Sequence, residues 1–304
     1  MTTRAAEPYV DNIREKIEGL KFRLSDCDLC PRACHVDRYE GDDGVCGMGA
    51  EIKISSVNLH FGEEPPLSGI NGSGAIFMTG CNLKCVYCQN YPISQMRNGE
   101  TITREQLVDS MLSLQSRGAH NINFVTPTHY SAQIAEAIVD ARDKGLTVPI
   151  VYNSSGYDNV EVIRELEGLI DIYLPDMRYA DPENAERYSS APDYPRINRA
   201  VIKEMFRQVG LLETDSRGIA KRGLIIRHLV LPGNISGTRE ILKFISEKIS
   251  SECSISLMSQ YFPAYRAPQF EHLSRRITAE EYAQAVEWMR EFNLENGWCQ
   301  NEEI

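Results

Sequence analysis

After residue 73 the chain repeats one pattern six times: a short apolar run, a turn, and a segment of helical period. The runs are 74–79 (GAIFMT), 121–126 (NINFVT), 148–152 (VPIVY), 171–176 (DIYLPD), 224–231 (LIIRHLVL) and 255–261 (ISLMSQY). Strands that are apolar almost throughout are buried on both faces, and helices between them return the chain for parallel pairing. The helix starts are marked. Thr103 and Gln106 form a capping box, Asp181-Pro182 supplies an N-cap followed by proline at the first helical position, and Thr278 with Glu281 forms a second box. Six such units fit an α/β fold, either an open doubly wound sheet or an incomplete (β/α) barrel. Both place function at the C-terminal ends of the strands.

Composition excludes several function classes. With 42% hydrophobic and 25% charged residues the chain is expected to fold throughout, as one large domain (67–304) behind a small N-terminal cysteine-rich metal-binding segment (1–66). A net charge of −11 provides no global field to gather phosphates, so no nucleic-acid partner is expected. No run approaches the ~20 apolar residues of a membrane span, and the N-terminus reads as an amphipathic helix with Ile13, Ile17 and Leu20 on one face rather than as a signal peptide. A soluble, cytoplasmic protein with no membrane partner is expected. Thiols stay reduced in that compartment, so the nine cysteines, seven of them within residues 27–88, read as metal ligands rather than disulfides.

Two cysteine sets stand out. Cys81, Cys85 and Cys88, spaced C-x3-C-x2-C, follow the first apolar run at the functional edge and number one fewer than a tetrahedral site needs. A zinc completed by His60 or Cys253, or three structural thiols, is the plainer reading. Cys27, Cys30, Cys34 and Cys46, spaced C-x2-C-x3-C-x11-C, make a closed set of four, with glycines 41, 44 and 47 to turn the loop back. Zinc would supply folding energy to that short segment, and a second [4Fe–4S] cluster would use the same thiolates; zinc is slightly preferred. His35, beside Cys34, reads as solvent-facing. The stretch 60–74 reads as an ordered linker in which Glu63 and Glu64 are structural or surface groups, contact with substrate being the alternative, and "GSG" at 72–74 reads as a turn, because Phe77 occupies the last glycine position of a dinucleotide loop.

The CNLKCVYC loop resembles the cluster loop of the radical S-adenosylmethionine (SAM) superfamily. The resemblance implies an incomplete (β/α)6 barrel and a [4Fe–4S] cluster on three thiolates whose fourth iron takes SAM by its amino and carboxylate groups. Reductive cleavage to a 5′-deoxyadenosyl radical is the implied chemistry, with an electron donor such as flavodoxin or ferredoxin. Residues 67 to about 270 most resemble the pyruvate formate-lyase activating enzymes, and in particular a branch with an N-terminal cysteine segment. On that resemblance Asp176-Met-Arg178 matches an activase Asp-x-Lys pair, and Arg227, before "LVLPG", is the arginine that reaches SAM. Tyr87 falls beside the adenine, Thr126 and Thr128 stand where relatives hold the SAM amino group with Gly-Gly-Glu, and Asn153 and Ser154 stand where the ribose is contacted. The last two pairs depart from the family pattern.

Plainer readings stand beside these assignments. Asp176 and Arg178 fit an ion pair at a strand end, Arg227 a structural pair with an acid, and Tyr87 simple packing. His129 and His228 fit either the cavity or the core, and Gln260 or Tyr261 stands where activases carry a histidine near SAM. The expected function is hydrogen abstraction from a protein or peptide. The alternatives are a small-molecule substrate, or a non-catalytic iron–sulfur or zinc module for electron transfer or assembly.

Overall fold

A computed structural model of the chain describes residues 7–300; residues 1–6 and 301–304 lie outside the described residues. The strands are β1 (Ile52–His60), β2 (Ser73–Met78), β3 (Glu100–Ile102), β4 (Ile122–Val125), β5 (Ile150–Asn153), β6 (Ile172–Tyr173), β7 (Glu213–Thr214), β8 (Ala220–Leu229), β9 (Ser254–Met258) and β10 (Gly297–Cys299). The helices are α1 (Glu7–Phe22), α2 (Pro65–Ser68), α3 (Tyr91–Ser94), α4 (Arg104–Ser116), α5 (Ser131–Asp143), α6 (Val160–Glu165), α7 (Pro182–Ser189), α8 (Tyr194–Val209), α9 (Thr238–Lys248) and α10 (Ala279–Glu291).

The six expected strands are β2, β4, β5, β6, β8 and β9, and they are neighbours in that order, each pair parallel. The expected caps form: both capping boxes close, and Asp181 accepts from Asn184 N ahead of Pro182. Of the expected N-terminal helix face, Leu20 is fully buried, Ile17 nearly so, and Ile13 packs on the core. Among the described residues no helix is long and apolar enough to cross a membrane.

The sheet is larger than the six units. β1, within the stretch assigned to the N-terminal segment, pairs antiparallel with β2 and carries β3 on its other edge, while β10 extends the far end beside β9. α2 fills the base of the concave side: Leu67 packs among Val151, Ile172, Leu174, Ala220 and Ile225. In a strand alternate side chains share a face, so this cluster identifies the inward column of each strand, and Asn153, Asp176 and Arg227 follow Val151, Leu174 and Ile225 upward toward the C-terminal edge. The larger core lies on the outer face, between sheet and helices.

Candidate active site

The cysteine loop leaves β2 through Gly80, whose φ of +85° and close surroundings both require glycine: a Cβ there would sit 2.6 Å from Met48 Cγ and 3.0 Å from Cys46 O. Backbone bonds from Lys84 N to Ser189 O and from Val86 N to Tyr188 O tie the loop to the end of α7. Each sulfur already has a polar neighbour. Cys85 Sγ accepts from Arg178 Nη1 at 3.3 Å and Ser189 Oγ at 3.0 Å, Cys88 Sγ lies 3.0 Å from Ser94 Oγ, and Cys81 Sγ accepts from Leu83 N at 3.4 Å. Burial pushes the Cys81 thiol up to about 12, so loading a metal there releases a proton.

All three cysteines line one cavity together with Thr126, Asn153, Ser154, Ser155, Asp176, Arg178 and Arg227. Asp176 is the only other carboxylate among the lining residues, and both its oxygens are taken: Oδ1 by Arg227 Nε at 2.9 Å, Oδ2 by Arg178 Nη2 at 2.5 Å and Nε at 3.1 Å. Burial raises this carboxyl, but Arg227 and Arg178 outweigh burial and hold it below the usual range. The lining therefore offers three thiolates, no histidine and no spare acid. Such a donor set fits a [4Fe–4S] cluster on three cysteines with one iron left to an outside ligand. Among the described residues no three His, Cys, Asp or Glu side chains converge as the ligands of a single metal ion do.

Arg227 also donates to Asn153 Oδ1 at 2.6 Å and faces Glu63 at 3.7 Å. The fold thus uses this guanidinium whether or not SAM does. Arg227→Met would leave Glu63 and Asn153 without their partner while Asp176 keeps Arg178. We expect a stability loss of about 3 kcal/mol, at the low end for breaking a buried pair, together with weaker SAM binding. Denaturant unfolding and SAM titration of the variant check this; unchanged stability would show that the network adds nothing to the fold.

Glu63, which reads from the sequence as a structural or surface group, pairs with Arg227. Its side chain is only 8% exposed, and its carboxyl is raised to about 7, first by burial, with Arg227 pulling it down and Glu64 and Asp176 pushing it up. Between its ordinary value of 4.5 and 7 the folded state keeps a proton that the unfolded state has released, so this group makes stability fall as pH rises through that window. The expected size is about 3 kcal/mol. Glu63→Gln lacks the carboxyl, so its stability relative to wild type should increase from pH 5 to pH 8; a pH-independent difference would contradict the assignment.

The other candidates divide. Thr126 has φ +62°, a left-handed conformation that favours glycine and is costly for a β-branched residue, at the position where the resemblance expected Gly-Gly-Glu. Thr128 does not line the cavity; it is buried and donates to Asp158 Oδ1 at 2.6 Å. Asp158, which belongs to no motif, also accepts from Ser154 Oγ at 2.7 Å and Tyr152 at 3.1 Å, and so ties the cavity wall together. Tyr87 is buried, edge-on to Tyr179 and Tyr261, and with Arg178, Arg227, Met258 and Gln260 lines a neighbouring cavity that meets the first at Asp176. Tyr261 itself is tied to Leu273 O. His129 and His228 are core residues: burial lowers them to about 3 and about 4, His129 bonds Thr79 O, and His228 bridges Met177 O and Thr238.

The N-terminal cysteines pack directly on the cluster loop. Cys27 N donates to Val36 O and His35 N donates to Cys27 O around the turn, Val45 N donates to Cys34 Sγ at 3.3 Å, and the Cys46 thiol feels Cys27 and Cys34. Asn82 lies between the two sets: its amide donates to Tyr157 O at 2.6 Å, it pulls the Cys30 thiol down against burial, and its Oδ1 lies 4.0 Å from Cys81 Sγ. Arg32 donates to Asn82 O at 2.8 Å and also bonds Ser189 O and Ser190 O, so it clamps the segment over the loop. His35 is exposed, as expected, and pairs with Asp26.

The Radical SAM superfamily profile matches residues 75–245, which hold the three-cysteine loop and the residues named above as lining its cavity. The chain belongs to the radical SAM superfamily. It is 32% identical to "Uncharacterized protein MJ0674" of Methanocaldococcus jannaschii, over 92% of this chain and 79% of that protein, and 23% identical to "Uncharacterized protein MJ0808" of the same organism, over 83% and 74%. Among solved structures, the [FeFe]-hydrogenase maturase HydG aligns with a TM-score of 0.50 at 15% identity, over 71% of this chain and 48% of that one. A radical SAM methyltransferase from Sphaerobacter thermophilus aligns at 0.47 and 12%, over 76% and 70%. The chain thus spans about half of the HydG structure, and at this identity the likeness is one of fold alone. As a radical SAM enzyme the chain uses a [4Fe–4S] cluster and SAM.

Proposed function

We propose that this radical SAM enzyme abstracts hydrogen from a protein or peptide, in the manner of the pyruvate formate-lyase activating enzymes it resembles. The observation that carries the reading is the cavity with three thiols, no fourth protein ligand and a polar wall continuous with a second cavity at Asp176. The chemistry supplied there by a [4Fe–4S] cluster with SAM at its free iron is one-electron cleavage of the sulfonium to the hydrogen-abstracting 5′-deoxyadenosyl group. The chain's own residues do the rest. Cys81, Cys85 and Cys88 hold the cluster, and donors from Arg178, Ser189 and Ser94 to the sulfurs tune its potential. Thr126, Asn153, Ser154 and Arg227 offer polar partners to SAM, and Tyr87 borders the adenine; Thr128 supports this wall through Asp158. Cys27, Cys30, Cys34 and Cys46, which do not converge as the ligands of a single ion do, would draw closer to hold zinc or a second [4Fe–4S] cluster in the segment up to residue 66, and a flavodoxin- or ferredoxin-type donor supplies the electron in the cytoplasm.

The substrate class is tested by following the hydrogen. With SAM and a chemical reductant, dialysed protein from cells grown in heavy water should pass deuterium into 5′-deoxyadenosine, whereas the small-molecule fraction of those cells should not. Transfer from the small-molecule fraction alone would establish the alternative substrate class.

A further inference from the structure

The concave face of β1, β2 and β4 is polar where the outer face is apolar. Ser56 stands opposite Phe77, Asn58 opposite Ala75 and His60 opposite Ser73, while Ala75 and Phe77 in turn stand opposite Asn123 and Val125. Opposed residues share a face, and the intervening Val57, Leu59, Ile76 and Phe124 pack on the outer core. The inward row therefore runs from Val125, at the wall of the cysteine cavity, past Asn123 to the half-exposed Asn58 and His60. Asn123 is fully buried, and neither its amide oxygen nor its amide nitrogen has a partner. Glu64 is 8% exposed and its Oε2 is likewise without a partner. Its neighbour Glu63 faces the inward-pointing Arg227 at 3.7 Å. Orphaned buried polar groups are costly unless something answers them. The carboxyls crowd one another as well: Glu63 feels Glu64 and Asp176 as like charges against Arg227, and its raised carboxyl reflects its burial and that crowding.

We propose that this concave face, floored by Glu63 and Glu64 and flanked by Asn123, receives a positively charged amino group of the substrate. The ammonium donates to the two carboxylates and to Asn123 Oδ1 and leaves the neighbouring carbon directed toward the cysteine cavity. The proposal rests on the hydrogen-abstraction reading for its purpose, although the binding site itself does not.

The test uses the full chain, anaerobically reconstituted with iron and sulfide and supplied with SAM, and two probes: acetyl-Gly-Lys-Gly-amide and the same peptide with norleucine in place of lysine. Calorimetric titration of the wild type at pH 8 should show the lysine peptide bound about tenfold more tightly, as one charge-assisted hydrogen bond provides. Glu64→Gln and, separately, Asn123→Leu, each checked for an unchanged circular dichroism spectrum, should reduce that preference to below threefold. Equal affinity of the wild type for the two peptides, or binding of neither, overturns the proposal, as does a preference that survives Glu64→Gln. 5′-Deoxyadenosine release without any peptide reports on the underlying reading separately: lysine preference without cleavage would sink the function and spare the site, and cleavage without preference would do the reverse.

Discussion

Replacing Cys85 with serine is expected to abolish SAM cleavage and leave the chain folded. Cys85 is 3% exposed, and Arg178 and Ser189 both donate to its sulfur. Serine occupies nearly the same volume and keeps an acceptor for those donors, so the stability cost should stay near the ~1 kcal/mol typical of point substitutions. The core that carries the sheet, from Ile76 and Phe124 to Ile226 and Ile255, does not depend on it. The site, however, would retain two thiolates for a cluster that also needs a free iron. Iron content should fall by about four atoms per chain, and 5′-deoxyadenosine formation should drop below detection while the circular dichroism spectrum is kept. Retained cleavage in Cys85→Ser would remove the loop from the chemistry.

Cys30→Ser should fail differently. It breaks the four-cysteine set outside the barrel, so on the proposed reading it should release the zinc or iron assigned there and loosen the stretch from Leu24 to Ala50. Residues 52–60 should stay ordered, because β1 is paired with β2 along its length. SAM cleavage driven by a chemical reductant should persist, lowered by about tenfold as for loss of a supporting contact, since Arg32 of the segment holds Asn82 O beside Cys81. Metal analysis and 5′-deoxyadenosine yield, side by side for the two variants, separate the roles. Complete loss in both would make the N-terminal site an obligatory electron relay or a wall of the active site.

The parts of the fold that were legible in the sequence are those whose environment is uniform along the strand. The runs at 74–79, 121–126 and 255–261 contain strands buried on both faces, so they read as mostly apolar runs and became parallel strands. β1 is buried unevenly: Val57 and Leu59 face the core while Ser56, Asn58 and His60 face the concave side, so the stretch carried no continuous apolar signal and sat unnoticed ahead of a linker. The run 171–176 shortened to two paired residues because Pro175 has no N–H to give the ladder, which resumes only at the Asp176–Arg227 bridge. The site shows the same division. Cys81, Cys85 and Cys88 are close in sequence because one turn positions all three, and spacing alone revealed them. Glu63, Asp158 and Arg32 act through contacts with residues 164, 30 and 50 positions away respectively, and nothing local marks them.

The central claim is that three cysteines at the C-terminal edge of this barrel hold a cluster that cleaves SAM. The direct measurement is anaerobic reconstitution with iron and sulfide, followed by SAM and dithionite and quantification of 5′-deoxyadenosine. The account predicts 5′-deoxyadenosine and methionine in equal amounts from the wild type. An intact cluster, seen in the absorption and paramagnetic resonance spectra, with SAM left whole would contradict it.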